Sequence, residues 1–165
     1  MNKSTVVGFL AEVLVREKLI SDGLFVEQKG NQAGHDLEVL NGPKIDVKAC
    51  TMKFHKKAGC NHWGWALLSE SKKRKISFTH LICVAFEPSL EVRNYFVVRV
   101  GNLNHFPAAE GRFKGVLNTF HIYDATPILQ EGSDLKRIHD QCDKAVRDGF
   151  AIQVRPCESL ADRLR

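Results

Sequence analysis

The chain has 165 residues, 44% hydrophobic and 26% charged, enough to bury one substantial core and too few for two ordinary domains. Its 24 Lys and Arg outnumber 19 Asp and Glu to give a formal net charge of +5, which favours a polyanionic partner over an acidic protein or a neutral ligand. The apolar stretch from Val6 to Val15 is broken by Glu12 with no small-residue cleavage pattern after it, and the run Leu81 to Phe86 is far too short for a bilayer. These features argue against a signal peptide or membrane span and for a cytoplasmic protein. Five cysteines at irregular spacing, with no secretory signal, argue against a disulfide framework.

Ser4 can cap a first helix over Thr5 to Ser21, with Val6, Val7, Leu10, Val13, Leu14 and Ile20 on a broad apolar face and Asp22-Gly23 as its stop. Leu24 to Glu27 reads as a short strand, and the glycines and polar residues of the next segment, to Gly34, suit a bend. Asp36 to Leu40 and Lys44 to Ala49 both alternate polar with apolar residues around Asn41-Gly42-Pro43, which predicts a hairpin. From Thr51 to Lys75 the pattern dissolves into basic sequence with glycines and tryptophans, and a long excursion is expected there.

Phe78 to Phe86 reads as a strand buried on both faces and Asn94 to Val100 as its neighbour. A short helix is expected before Pro107, and a strand over Val116 to Tyr123. Ser133 caps a last helix carrying Leu135, Ile138, Cys142 and Val146 and ending at Gly149. Ala151 to Val154 forms a final strand.

The hairpin carries the chemistry. Alternate strand residues share a face, so Asp46 and Lys48 point one way while Ile45, Val47 and Ala49 point into the core. Asp36 joins them only if a three-residue connection, or a bulge, through Asn41-Gly42-Pro43 places Glu38 opposite Asp46 and Asp36 opposite Lys48. A two-residue turn would send Asp36 to the wrong face.

A helix with Glu12, then Gly34-His35-Asp36-Leu37-Glu38, then Ile45-Asp46-Val47-Lys48 resembles the PD-(D/E)xK nuclease superfamily over roughly Ser4 to Val100. The resemblance implies an α/β fold, a restriction-endonuclease-like core with a central mixed β-sheet flanked by helices. It matches Asp36 to the aspartate that begins the second core strand, Asp46 to the variable acid, Lys48 to the lysine and Glu12 to the helical acid. His35 stands where the family name has proline, a departure that removes no metal ligand.

By that resemblance the chain is a metal-dependent DNA endonuclease of restriction, homing, junction or repair type, working as a homodimer that cuts two strands. Mg²⁺, with Mn²⁺ as substitute, would be held by Asp36, Asp46 and the Val47 carbonyl, with Glu12 on a second ion or its waters. Lys48 would orient the attacking water. The alternative is a non-catalytic nucleic-acid-binding module of the same fold, which has no need of two acids and a lysine.

Other features have blander readings beside the functional ones. An isolated acid-x-lysine is usually a surface ion pair, and Glu12 could pair with Arg16 four residues on. Glu38 is read as a solvated strand residue and His35 as a residue at the site rim. Cys50, His55, Cys60 and His62 lie within thirteen residues, but without C-x₂-C or H-x₃₋₅-H spacing, so a structural Zn²⁺ and a zinc-stabilised interaction domain are disfavoured. Lys53, Lys56 and Lys57, with Lys72, Lys73 and Arg74, flank Trp63 and Trp65. The lysines and arginine are expected on DNA phosphates and the tryptophans in the core.

Overall fold

The computed structural model describes residues 2–30, 33–69, 76–108 and 116–165. Helix α1 spans Lys3–Ser21, and its cap is Asn2, whose side chain accepts from the Thr5 N–H. The helix thus starts two residues before the predicted Thr5, because Asn2 supplies the same short acceptor two residues earlier than Ser4 would. Its buried stripe is Val7, Ala11, Val15 and Leu19, a repeat of four that lays the helix on a sheet.

That sheet has six strands: β1 (Val26–Gln28), β2 (Leu37–Val39), β3 (Lys44–Thr51), β6 (His80–Phe86), β7 (Val92–Arg99) and β9 (Ile152–Val154), in that spatial order. β3 and β6 run parallel and the other neighbours antiparallel, so the sheet is mixed. Every residue of β6 is buried, as a central strand covered on both faces requires. β1 starts two residues later than the predicted strand, at Val26.

Alternation along the strands divides the core in two. Leu37, Val39, Ile45, Ile82, Val84, Phe86, Tyr95 and Val97 pack against α1. Leu81, Cys83, Ala85, Phe96 and Val98 point to the other side, where a second layer covers them. This layer is a three-stranded antiparallel sheet, ordered β4 (Lys53–His55), β5 (Cys60–Ser69) and β8 (Val116–Tyr123), together with helix α2 (Asp134–Arg147).

The expected excursion after Thr51 is therefore corrected: most of it is two strands. Trp63, Trp65 and Leu67 alternate inward on β5 and are buried, while His62, Gly64 and Ala66 take the other face. The period of two was present in the sequence, hidden by a glycine and a histidine on the outward positions. The tryptophans do belong to the core, and Trp63 Nε1 donates to the Phe86 carbonyl at 2.9 Å.

β8 has the predicted bounds, and α2 has the predicted Ser133 cap, whose hydroxyl accepts from the Lys136 N–H. The helix expected before Pro107 is a 3₁₀ turn over Val100–His105. No helix among the described residues is long and apolar enough to cross a membrane.

Candidate active site

The site is built on an edge that β2 leaves open. β2 pairs with β3 only at Leu37 with Ile45 and Glu38 with Lys44, and the ladder ends where the Asp36 N–H donates to the Ile45 carbonyl at 2.9 Å. β3 continues to Thr51 with no β2 residue beside it. The next donor on that edge is the Val47 N–H, and the Asp36 carboxylate takes it, Oδ2 accepting at 2.7 Å. A side chain thus replaces a strand, and the Val47 carbonyl, which in a strand leaves on the same side as its N–H, faces the same open edge.

This register corrects the one expected from sequence. The three-residue loop is Leu40-Asn41-Gly42, because the Val39 N–H already pairs with the Pro43 carbonyl, and Asn41 takes the left-handed backbone such a loop requires, with φ 54°. The pairing is shifted by two residues, so Asp36 falls beside Asp46 rather than opposite Lys48. A shift of two preserves the faces, and the convergence survives the correction.

Asp46 and Lys48 share the β3 face turned away from α1. Lys48 Nζ lies 2.9 Å from Asp46 Oδ2, and Asp46 is only 3% exposed. The pair is therefore not the solvated surface bridge that an isolated acid-x-lysine suggests.

Glu12 reaches the cluster from α1. It shares a hydrogen bond with Asp36 and accepts from Gln28 Nε2 at 3.4 Å. Burial, followed by the charge of Asp36, raises the Glu12 carboxyl from its ordinary 4.5 to about 7. Burial likewise raises Asp36, with the Asp46 charge adding to it and the Val47 N–H, Glu12 and Lys48 opposing it. The directions describe one proton held between Glu12 and Asp36: Glu12 retains it near neutrality and Asp36 accepts it. The helix-surface pair between Glu12 and Arg16 does not form, since Arg16 Nε turns to the Val26 carbonyl and the guanidinium lies 3.9 Å from Glu17.

Glu38 lies at the margin, 3.1 Å from His35 Nε2 and 3.7 Å from Lys29 Nζ. The His35 hydrogen bond lowers its carboxyl below the ordinary range. His35 is buried rather than a loose rim residue, its Nδ1 meeting the Ser77 hydroxyl at 3.1 Å. That hydroxyl donates to the Ala33 carbonyl, so His35 ties the approach to β2 onto the start of β6. Gln28 and Ser77 were missed in the sequence, where neither belongs to a motif.

The four residues weighed as zinc ligands take separate roles. The Cys50 thiol accepts from the Gly64 N–H, the Cys60 thiol is directed to the Ala125 carbonyl, and His62 Nδ1 meets the Lys53 carbonyl. His55 Nδ1 accepts from the Ala58 N–H. Burial raises both thiols, opposite to what a thiolate ligand needs. Among the described residues, no group of three or more His, Cys, Asp or Glu side chains, the acid cluster included, stands as a ready-made metal site.

Lys53, Lys56 and Lys57 lie on β4 and on the turn that joins it to β5. Lys72, Lys73 and Arg74 lie outside the described residues. A second cluster that the sequence did not suggest is a row of rings on the outer face of the three-stranded sheet. His55 and His62 meet edge to face at 4.9 Å between centroids, and His62 and His121 are parallel at 6.3 Å. Burial lowers His62, and burial with the neighbouring imidazoles lowers His121 to about 4.

No model of a known protein family matches the chain, and no curated protein matches it in sequence. Among solved structures it is similar to a bacterial homing endonuclease, I-Ssp6803I, at 16% identity and a TM-score of 0.47, covering 90% of this chain and 98% of that one.

Proposed function

We propose that this chain is a metal-dependent DNA endonuclease of the PD-(D/E)xK kind, hydrolysing phosphodiester bonds with Mg²⁺ as its natural ion and Mn²⁺ as a substitute. The observation that carries the reading is the gathering of three carboxylates and one ammonium from α1, the residue just before β2, and β3 at the open edge of β3. Such a group holds more negative than positive charge, and it responds by keeping a proton on Glu12.

A divalent cation fits this donor set. It would take the place of that proton in balancing the charge, and Mg²⁺ usually asks for only one or two carboxylates, with carbonyl and water oxygens completing its shell. Asp36, Asp46 and the Val47 carbonyl would hold it, with Glu12 on its waters or on a second ion. When bound, the ion neutralises phosphodiester charge and acidifies a water for in-line attack.

The other roles belong to the chain's own residues. The Val47 N–H fixes the Asp36 carboxylate, so Asp36 meets a ligand already oriented. Lys48, held by Asp46 on a rigid strand, positions the attacking water and offsets charge growing on the phosphate. Glu12, carrying its proton near neutrality, is placed to yield it when positive charge arrives. Lys53, Lys56 and Lys57 would hold phosphates beyond the site, and Lys72, Lys73 and Arg74 are assigned the same role from sequence. A homodimer would present two such sites to the two strands.

The test is incubation of the purified protein with supercoiled plasmid, linear duplex and branched DNA in Mg²⁺ and in EDTA. Conversion of one or more substrates in Mg²⁺ and none in EDTA is expected. No conversion with either Mg²⁺ or Mn²⁺, or conversion that persists in EDTA, would overturn the reading.

A further inference from the structure

The exposed aromatic residues differ in their surroundings. Phe25 and Leu40 line a groove of about 460 Å³ at the β1 edge together with Glu27 and Glu38, whose carboxylates repel phosphate. Phe54 is 63% exposed in the middle of β4, and its setting is the reverse.

No carboxylate occurs between Val47 and Ser69, while Lys48, Lys53, Lys56 and Lys57 fall in that span. Lys53, Lys56 and Lys57 form no ion pair with a carboxylate among the described residues. Among the described residues β4 pairs only with the start of β5, Phe54 standing opposite Asn61, so the two strands make a ribbon with no described strand on its outer edge. Strand alternation puts Phe54 on one face and Lys53 and His55 on the other.

A groove of about 580 Å³ opens beside the start of this ribbon. It runs beside Ala49, Cys50 and Thr51 on the strand that carries Lys48, and Lys3 and Lys53 flank it.

We propose that Phe54 stacks on an unstacked nucleobase of a bound DNA strand, while Lys53, Lys56 and Lys57 hold the adjoining backbone. An exposed aromatic among lysines suits a polyanion whose repeating units are flat and apolar, because every base has a π-face to offer. The inference rests on the DNA nuclease reading and adds a base contact to it.

The test uses the full chain in EDTA, with anisotropy of a 20-nucleotide oligothymidylate and a mixed-sequence 20-base-pair duplex. Phe54→Ala should weaken binding of the single strand by about 5- to 100-fold and leave the salt slope unchanged, since no phosphate contact is lost. The double variant Lys56→Gln, Lys57→Gln should instead lower that slope by roughly 0.7 per contact. Phe54→Trp should show fluorescence quenched by the oligonucleotide.

Wild-type affinity of Phe54→Ala for both probes, with no quenching in Phe54→Trp, would overturn the stacking role and leave the nuclease reading standing. A change in the sedimentation coefficient of DNA-free Phe54→Ala would overturn it too, by assigning the ring to a contact between copies. Failure of the wild-type protein to bind either probe would remove both readings.

Discussion

The acid cluster at the β3 edge and the row of histidines on the outer sheet both bring together titratable side chains from separate elements, yet they treat charge in opposite ways. Asp46 and Lys48 on β3 are joined by Asp36 and by Glu12 from α1, whereas the histidines come from three paired strands, and each cluster is partly buried. In the first, Asp46 has Lys48 and Asp36 has the Val47 N–H, so two carboxylates are supported and the surplus appears as a proton on Glu12. In the second, burial opposes the protonation of His121, and the neighbouring His62 and His55 add to it. Buried charge persists where a counter-charge or a backbone donor meets it, and is given up where like groups crowd together. Only the first cluster carries an excess of acidic groups over basic ones.

The largest test of this contrast is Asp46→Asn. Cleavage of plasmid in Mg²⁺ should fall by on the order of 10²–10³-fold or more, while DNA affinity in EDTA stays the same or rises, because a negative charge facing phosphate is gone. Parallel loss of binding would show that Asp46 is structural.

Next in size is the acid limb of stability. The His121 imidazole ionises at about 4 in the folded protein against 6.5 ordinarily, so between these values the unfolded chain binds more protons. Its contribution to stability is lost as pH falls from 6.5 toward 4, on the order of 2 kcal/mol. His121→Phe should flatten that limb in urea midpoints measured from pH 4 to 7. An unaltered limb would place the titration elsewhere.

The acid cluster should slope the other way. Glu12 ionises at about 7 in the folded protein against 4.5 ordinarily, so the folded state binds more protons between them and stability declines as pH rises through that window. Glu12 is partly exposed, and solvent screening reduces the effect to about 1 kcal/mol. Glu12→Gln should abolish the decline. Mg²⁺ should raise the Tm of the wild type at pH 8 more than at pH 5, and a Tm indifferent to Mg²⁺ at both would break the comparison.

The smallest effect concerns the packing of the ring row. A Cβ at Gly64 would lie 3.0 Å from Cε1 and Nδ1 of His121, so Gly64→Ala should cost about 1 kcal/mol of stability. Combined with His121→Ala the penalty should shrink, a coupling read from a double-mutant cycle. Strict additivity would mean that the ring does not rest on Gly64.

Several elements could be read directly from residues. β8 and the Ser133-capped α2 have their predicted limits, and the assignment of Asp46 and Lys48 to one face followed from alternation on a single strand. The need for a three-residue loop came from requiring Asp36 on that same face, and the loop has three residues, although they are Leu40-Asn41-Gly42. β4 and β5 were not legible, since a lysine-rich segment with Gly59 and Gly64 looks like a loop until its tryptophans find a sheet to cover.

The sequence by itself determined which chemistry is available: two acids and a lysine on a hairpin, an acid on the preceding helix, and a basic segment after it. Those properties depend on short-range periodicity and on residue type, which act within a few positions of the chain. Tertiary structure decided that β2 begins only at Leu37 and leaves the Val47 N–H to Asp36, that Glu12 comes near enough to share its proton, and that three histidines meet across β4, β5 and β8. These outcomes depend on where strands end and which layers cover them. Burial and charge proximity are properties of the packed chain, with no counterpart in local spacing.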